Sequence, residues 1–118
     1  MSTEENRCDR PWGSFFILED SAVVKVKRLL VKPGQRLSLQ SHKQRDEHWV
    51  VTRGTASVTL NDETREFSYG QHVYIPRGTK HRLACNGDEP VEIIEVQTGD
   101  SFAEEDITRY SDDYGRVE

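Results

Sequence analysis

No apolar run in this 118-residue chain approaches the roughly 18–20 residues of a membrane-spanning helix, which excludes that class of membrane protein. The opening residues MSTEENRCDR carry none of the apolar stretch of a secretory leader, so a cytoplasmic location is expected, with no membrane partner. Cysteine is scarce. Cys8 and Cys85 are too few for a disulfide scaffold, and a reducing compartment keeps both as thiols. Positive charge is in deficit as well: at a formal net charge of −5 the chain lacks the basic face that nucleic acid demands. A small anionic ligand stays open, because the basic residues are clustered. No segment before residue 100 shows a 3.6-residue apolar period, which argues against a helical bundle. No linker or repeat divides the chain, and its length suits a single core.

What is present is a steady beat of turn signals: Pro33-Gly34, Arg53-Gly54, Asn61-Asp62, Tyr69-Gly70, Arg77-Gly78, Asn86-Gly87 and Thr98-Gly99. Between them lie AVVKVKRLLV, HWVVTR, ASVTL, HVYI and VEIIEVQ, rich in β-branched and aromatic residues. Short strands at a spacing of about 8–12 residues predict an all-β sandwich or barrel. Residues 1–9 read as a polar N-terminal tail and 10–118 as one domain. Ser101-Phe102-Ala103-Glu104 has the form of a capping box and predicts a short C-terminal helix carrying EEDITRY, followed by a loop.

The stretch SLQSHKQRDEHW, from Ser38 to Trp49, is the chemically dense part of the chain. A strand over 35–42 would alternate, placing Arg36, Ser38, Gln40 and His42 on one face and Leu37, Leu39 and Ser41 on the other. A strand beginning near Glu47 would put Glu47, Trp49 and Val51 on one face. If both faces look inward, Glu47 meets Gln40 and His42. His81, after the turn in IPRGTKHRL, is the candidate for the second imidazole. Two imidazoles, a carboxylate and an amide oxygen suit one divalent metal ion: zinc, manganese, cobalt, nickel or iron alike.

Gly34, five residues, Gln40-x-His42, four residues, Glu47, six residues and Gly54 resemble the first motif of the cupins. Gly70, five residues, Pro76-x-Gly78, two residues and His81 resemble the second, with fifteen residues between Gly54 and Gly70. The departure is Gln40-Ser41-His42, where most metal cupins have His-x-His. The phrases RPWGS, VKRLLVKPG, RLSLQSH, EHWVVTRGTA, YIPRGTKHRL, IEVQTGD and DDYGR narrow the resemblance further. Over residues 10–116 the chain is similar to the type II phosphomannose isomerase domain, the C-terminal part of bifunctional mannose-1-phosphate guanylyltransferase/mannose-6-phosphate isomerases. No nucleotidyltransferase domain or Gly-rich nucleotide loop is present, so guanylyl transfer does not carry over. One mismatch is Cys85 then Asn86, where the family tends to have Asn four residues after the second-motif histidine; a one-residue insertion in that hairpin accounts for it.

The resemblance implies a small cupin β-barrel, the double-stranded β-helix, with Gln40, His42, Glu47 and His81 at the metal. It implies conversion of mannose 6-phosphate to fructose 6-phosphate, in polysaccharide precursor synthesis, and a homodimer. Isomerisation moves a proton between C1 and C2, and the base is open among Glu47, Glu95 and a hydroxide on the metal. Glu95 and Gln97 lie in an otherwise apolar strand, so Glu95 is either a proton-transfer group with a raised pKa or a structural hydrogen-bond partner. Arg36 is expected to touch substrate, with a rim salt bridge as its alternative. Lys27, Arg45 and Arg82 are the other candidate phosphate contacts, although regular alternation would turn Arg82 away from His81. Trp49 is inward, as core or as a sugar-stacking wall. Two rival readings stand beside the isomerase: an accessory sugar-binding cupin working with a separate guanylyltransferase, and a metal oxygenase, against which Gln40 removes one imidazole.

Overall fold

Turn chemistry decides where the strands end. In the computed structural model, which describes residues 7–116, eleven strands follow one another: β1 (Arg7–Arg10), β2 (Gly13–Asp20), β3 (Lys25–Val31), β4 (Leu39–Ser41), β5 (Arg45–Arg53), β6 (Ala56–Leu60), β7 (Glu63–Phe67), β8 (His72–Ile75), β9 (His81–Ala84), β10 (Val91–Gly99) and β11 (Thr108–Ser111). Asn61 sits at φ 53° in the two-residue link between β6 and β7, the left-handed conformation that Asn tolerates in tight hairpins. All pairings are antiparallel. They build a six-stranded sheet, β1-β2-β3-β10-β5-β8, facing a five-stranded one, β11-β4-β9-β6-β7. This is the all-β barrel that the turn spacing predicts. Among the described residues no helix is long and apolar enough to cross a membrane.

Alternation sorts the inward residues by height. β3 buries Lys25, Lys27, Leu29 and Val31; β5 buries Arg45, Glu47, Trp49 and Val51; β10 buries Val91, Ile93, Glu95 and Gln97. The register lines them up: Val91 opposite Val31, Ile93 opposite Leu29 and Val51, Glu95 opposite Lys27 and Trp49, Gln97 opposite Lys25 and Glu47. One end of the barrel is therefore apolar. It joins Trp12, Phe15, Leu37, Val58, Ile75 and Leu83 in a continuous core. The other end is lined by charges.

Three expectations need correction or qualification. The short C-terminal helix is not formed: residues 101–107 are irregular, and Thr108–Ser111 pairs with β4 as a strand. A helix of so few residues has no surplus to offset nucleation, and Glu104 bonds to lysines on β3 instead of closing a capping box. The strand over 35–42 is regular only from Leu39 to Ser41. Leu37 and Ser38 are both buried, so alternation fails between them. Of the tail over 1–9, residues 1–6 lie outside the described residues, and Arg7, Cys8 and Asp9 belong to β1. Cys8 and Cys85 are both free thiols.

Candidate functional site

Three strand ends meet at the polar mouth of the barrel. Gln40 on β4 is the register partner of His81 at the start of β9. His42 follows β4 directly, and Glu47 lies on β5, opposite Gln97. The approach to His81 is a tight turn in which Thr79 N–H donates to Pro76 O at 3.2 Å and Gly78 N–H to His42 O at 2.7 Å. Gly78 takes φ 84° there, a conformation open to glycine at little cost. Asp46, the outward neighbour of Glu47, holds this turn. It accepts the backbone N–H of Arg77 at 2.8 Å and its guanidinium at 3.1 Å. The spacing of the two glycine-bearing motifs thus becomes a physical clamp between them.

His42, Glu47 and His81 each present a ligand atom, all within 4.8 Å of one another, and all three residues are buried. His42 Nδ1 lies 2.7 Å from the carbonyl oxygen of Asp106, and His81 Nδ1 lies 2.9 Å from that of Thr79. A carbonyl only accepts, so in the neutral rings Nδ1 carries the proton and Nε2 keeps its lone pair. Both Nε2 atoms face Glu47, at 3.3 and 3.9 Å from its oxygens. Backbone carbonyls that fix the ring orientation in this way are a common second layer around metal-binding histidines. Gln40 turns its Nε2 toward Ser38 Oγ at 3.1 Å, which leaves Oε1 for a ligand. The donor set fits a metal ion, and the cluster could hold one.

The electrostatics agree with that fit. Burial pushes His42 down to about 4, outweighing the attraction of Glu47, so the ring is neutral at pH 7. Burial also opposes charge on Glu47. Against it, His81, a hydrogen bond with Glu95, His42 and Arg45 together hold Glu47 well below the usual carboxylate range. Glu95 moves the other way, up to about 8, chiefly by burial and then by the charge of Glu47 and their hydrogen bond. The two carboxyls are thus pushed apart in acidity, and Glu95 is the one that favours the proton. Trp49 Nε1–H bridges them, donating to Glu47 Oε1 at 3.0 Å and to Glu95 Oε1 at 3.1 Å. Gln97 Nε2–H donates to the other oxygen of Glu95 at 2.8 Å.

These groups floor a cavity of about 220 Å³. Of the candidate substrate contacts, Lys27, Arg45 and Trp49 line it, together with Gln40, His42, Glu47, His81 and Glu95. Arg45 was expected in a loop. It opens β5 instead, two residues from Glu47 and hence on the same face. Its Nε donates to Glu47 at 3.0 Å, and its Nη2 lies 3.2 Å from His42 Nε2. Arg36 is not brought to the cavity. It is half-exposed, with Nε and Nη2 forked onto Asp113 at 2.7 and 2.9 Å, which is the rim salt bridge that was its alternative. Arg82 is also absent from the cavity wall. It points away from His81, donating to Leu37 O at 2.9 Å and Ser111 O at 3.0 Å. Its role is to tie the five-stranded sheet to the C-terminal segment.

The structure adds residues that the sequence reading missed. Arg10, Glu104, Arg109 and Arg116 line the cavity. Asp106 orients His42 through its carbonyl and caps the following turn, accepting the N–H groups of Lys43 and Gln44 at 2.9 Å each. Arg109 had a findable signal only through the unforeseen pairing: it is the register partner of Gln40 and shares its face.

Comparison with known proteins agrees with this geometry. The chain is 49% identical over 118 residues to the alginate biosynthesis protein AlgA of Pseudomonas aeruginosa, covering 98% of this chain and 24% of that protein. It is 44% identical over 108 residues to the mannose-1-phosphate guanylyltransferase ManC of Salmonella typhimurium, covering 92% and 22%. It therefore spans about a quarter of the length of the relatives it matches. A protein of Klebsiella pneumoniae with a double-stranded β-helix domain superposes with a TM-score of 0.78 over 92% of this chain and 94% of that one, at 17% identity, which establishes the cupin fold. The family model described as mannose-6-phosphate isomerase C-terminal matches residues 2–112, and the chain, with its buried His-Glu-His cluster at the mouth of a β-barrel, belongs to that family.

Proposed function

We propose that this domain is a metal-dependent aldose–ketose isomerase acting on a phosphorylated hexose, converting mannose 6-phosphate to fructose 6-phosphate for polysaccharide precursor synthesis. The observation that carries the reading is one cavity with two poles: a His-Glu-His cluster beside the buried carboxyl of Glu95, and a wall of cations from Lys27, Arg10, Arg109 and Arg116. The names of AlgA and ManC, in alginate synthesis and mannose 1-phosphate chemistry, support the sugar-phosphate substrate. A cytoplasmic setting is part of the same proposal.

One divalent ion, zinc, manganese, cobalt, nickel or iron, would be held by Gln40, His42, Glu47 and His81 and would supply Lewis-acid polarisation of the sugar's carbonyl and hydroxyl oxygens. The cationic wall supplies the counter-charge for the phosphate, from lysine and arginine alike. Trp49 fixes both carboxylates through its bifurcated N–H and presents its ring to the cavity. Glu95 is the proton-transfer group. The negative charge of Glu47 is the second cause of its raised pKa; a bound cation would offset that charge, and ionised Glu95 would take the C2 proton and return it to C1 while the proton of the C2 hydroxyl passes to the C1 oxygen. The purified protein, supplied with each metal, should form fructose 6-phosphate in a coupled assay. A metal-bound protein without turnover would sink the isomerase and leave the accessory sugar-binding cupin. Oxygen uptake by the iron-loaded protein would favour the oxygenase.

A homodimer is part of the same proposal. The six-stranded sheet ends in β1 and β8, and its outer face carries partly exposed Val50 and Tyr74 beside that edge. Light scattering at micromolar concentration should give twice the chain mass, and a monomer would count against it.

A further inference from the structure

Two buried ammonium groups share one oxygen atom. Lys25 and Lys27 project inward from β3 with side chains only 9% and 8% exposed, and both donate to Oε1 of Glu104, at 3.1 and 2.9 Å. Glu104 comes from the irregular segment that replaces the expected helix, and its side chain is 60% exposed. Glu104 reaches the lysines from a surface turn, with water on its outer side. The lysines have almost no such contact with water. The Phe15 ring, 4.4 Å from Lys27 Nζ, gives that ammonium a cation–π contact, which offsets only part of the hydration it loses on burial. The lysines therefore require an anion, while Glu104 does not require the lysines.

The match is also incomplete in charge. Two positive charges face one negative at this point, since both ammonium groups share the single carboxylate of Glu104. Further donors stand unused around the same cavity: Arg45 Nη1 and Arg109 Nε are buried without a hydrogen-bond partner, and Arg45 is only 6% exposed. A phosphate monoester carries close to two negative charges at neutral pH and three acceptor oxygens. It matches what the lysine pair lacks.

We propose that Lys27, which lines the cavity, and Lys25 behind it form a phosphate subsite and that Glu104 is its resident, displaceable counter-ion, occupying the subsite until a phosphorylated ligand evicts it. The proposal rests on the reading of the cavity as a sugar-phosphate site. Release is by competition rather than by protonation: although burial works against its charge, Lys27 and Lys25 hold the Glu104 carboxyl down at about 2, so it stays ionised across the physiological range. Glu104 thus lowers affinity for every phosphorylated ligand by a common factor, leaving discrimination among them to their sugar ends.

The test is a calorimetric titration with inorganic phosphate, on protein as purified and again after chelation, so that anion held by a metal is subtracted. Glu104→Gln should bind phosphate at least about threefold more tightly than wild type, because a neutral amide competes less well for two ammonium groups. Lys27→Gln should bind at least about tenfold more weakly, since half the subsite charge is gone. Arg109→Gln should change affinity less than Lys27→Gln does. Unchanged or weakened binding in Glu104→Gln overturns the proposal, as does a loss confined to Arg109→Gln; melting curves confirm that each variant is folded. Because phosphate binding is read without turnover, a protein that shows this order of affinities but fails to isomerise mannose 6-phosphate loses the isomerase and keeps the subsite. One that isomerises with Glu104→Gln unchanged loses only the subsite.

Discussion

The two ends of this barrel are built from the same three strands and answer to different physics. At one end β3, β5 and β10 send Leu29, Val31, Val51, Val91 and Ile93 inward; at the other they send Lys25, Lys27, Arg45, Glu47, Glu95 and Gln97. Each fully buried aliphatic side chain at the first end contributes about 1.5–3 kcal/mol. The charged end gains far less, because attraction between buried charges is largely offset by their lost hydration. One end holds the fold together and the other exposes a set of unsolvated charges to a ligand. The same pleat serves both because alternation fixes only which way a side chain points.

That division can be broken by paired substitutions. His81→Ala should abolish stoichiometric metal binding and lower turnover by on the order of 10²–10³, since the charge developing in the reaction loses its fixed partner. The chelated protein should lose only about 1 kcal/mol, because water can enter a polar cavity. Ile93→Ala at the other end should do the reverse, losing about 2–5 kcal/mol of stability while keeping metal content and turnover per folded molecule. Metal analysis and denaturant unfolding on the two variants decide it. If both lose stability equally, the ends are not separable.

A smaller effect sharpens the comparison through pH. Glu95 has a folded pKa raised to about 8 from 4.5, so it favours the fold in its protonated form, and that contribution declines as pH rises through 8. His42, lowered to about 4 from 6.5, acts oppositely: its contribution is complete above 6.5 and is lost as pH falls toward 4. The two oppose each other between 4.5 and 6.5, and Glu95 acts alone above that. The melting temperature of chelated protein should therefore fall from pH 6.5 to pH 8, and Glu95→Gln should flatten the slope. A slope that persists in Glu95→Gln would place the titrating group elsewhere.

The smallest expected effect belongs to Arg36. Its fork onto Asp113 is half-exposed, and such pairs contribute about 0–1 kcal/mol. Arg36→Ala should leave turnover within about threefold of wild type, as surface changes away from a site do. A loss of a hundredfold would return Arg36 to the cavity.

How the sequence foretold some of this and not the rest follows from the range of each interaction. The gathering of His42, Glu47 and His81 was legible because it depends on strand alternation and on glycine-bearing turns, both local. Arg45 faces the cavity because the strand begins two residues earlier than its apolar signal. Arg36 lies outside it, where Leu37 is drawn into the core and alternation breaks within one residue of Ser38. That is a tertiary competition no local pattern announces. The C-terminal segment was misread for the same reason. Its Ser-x-x-Glu pattern is a real local signal, but pairing with β4 and the pull of two buried lysines outweigh it.

The carbonyl that orients His42 belongs to Asp106, 64 residues further along the chain. At about 5–20 residues per second, a ribosome delivers that carbonyl roughly 3–13 s after the imidazole it must hold. During that interval the nascent chain carries a His42 whose tautomer nothing has yet chosen, whereas His81 takes its own from Thr79, two residues before it. An oriented ligand set for a metal ion is thus deferred until synthesis has passed Asp106.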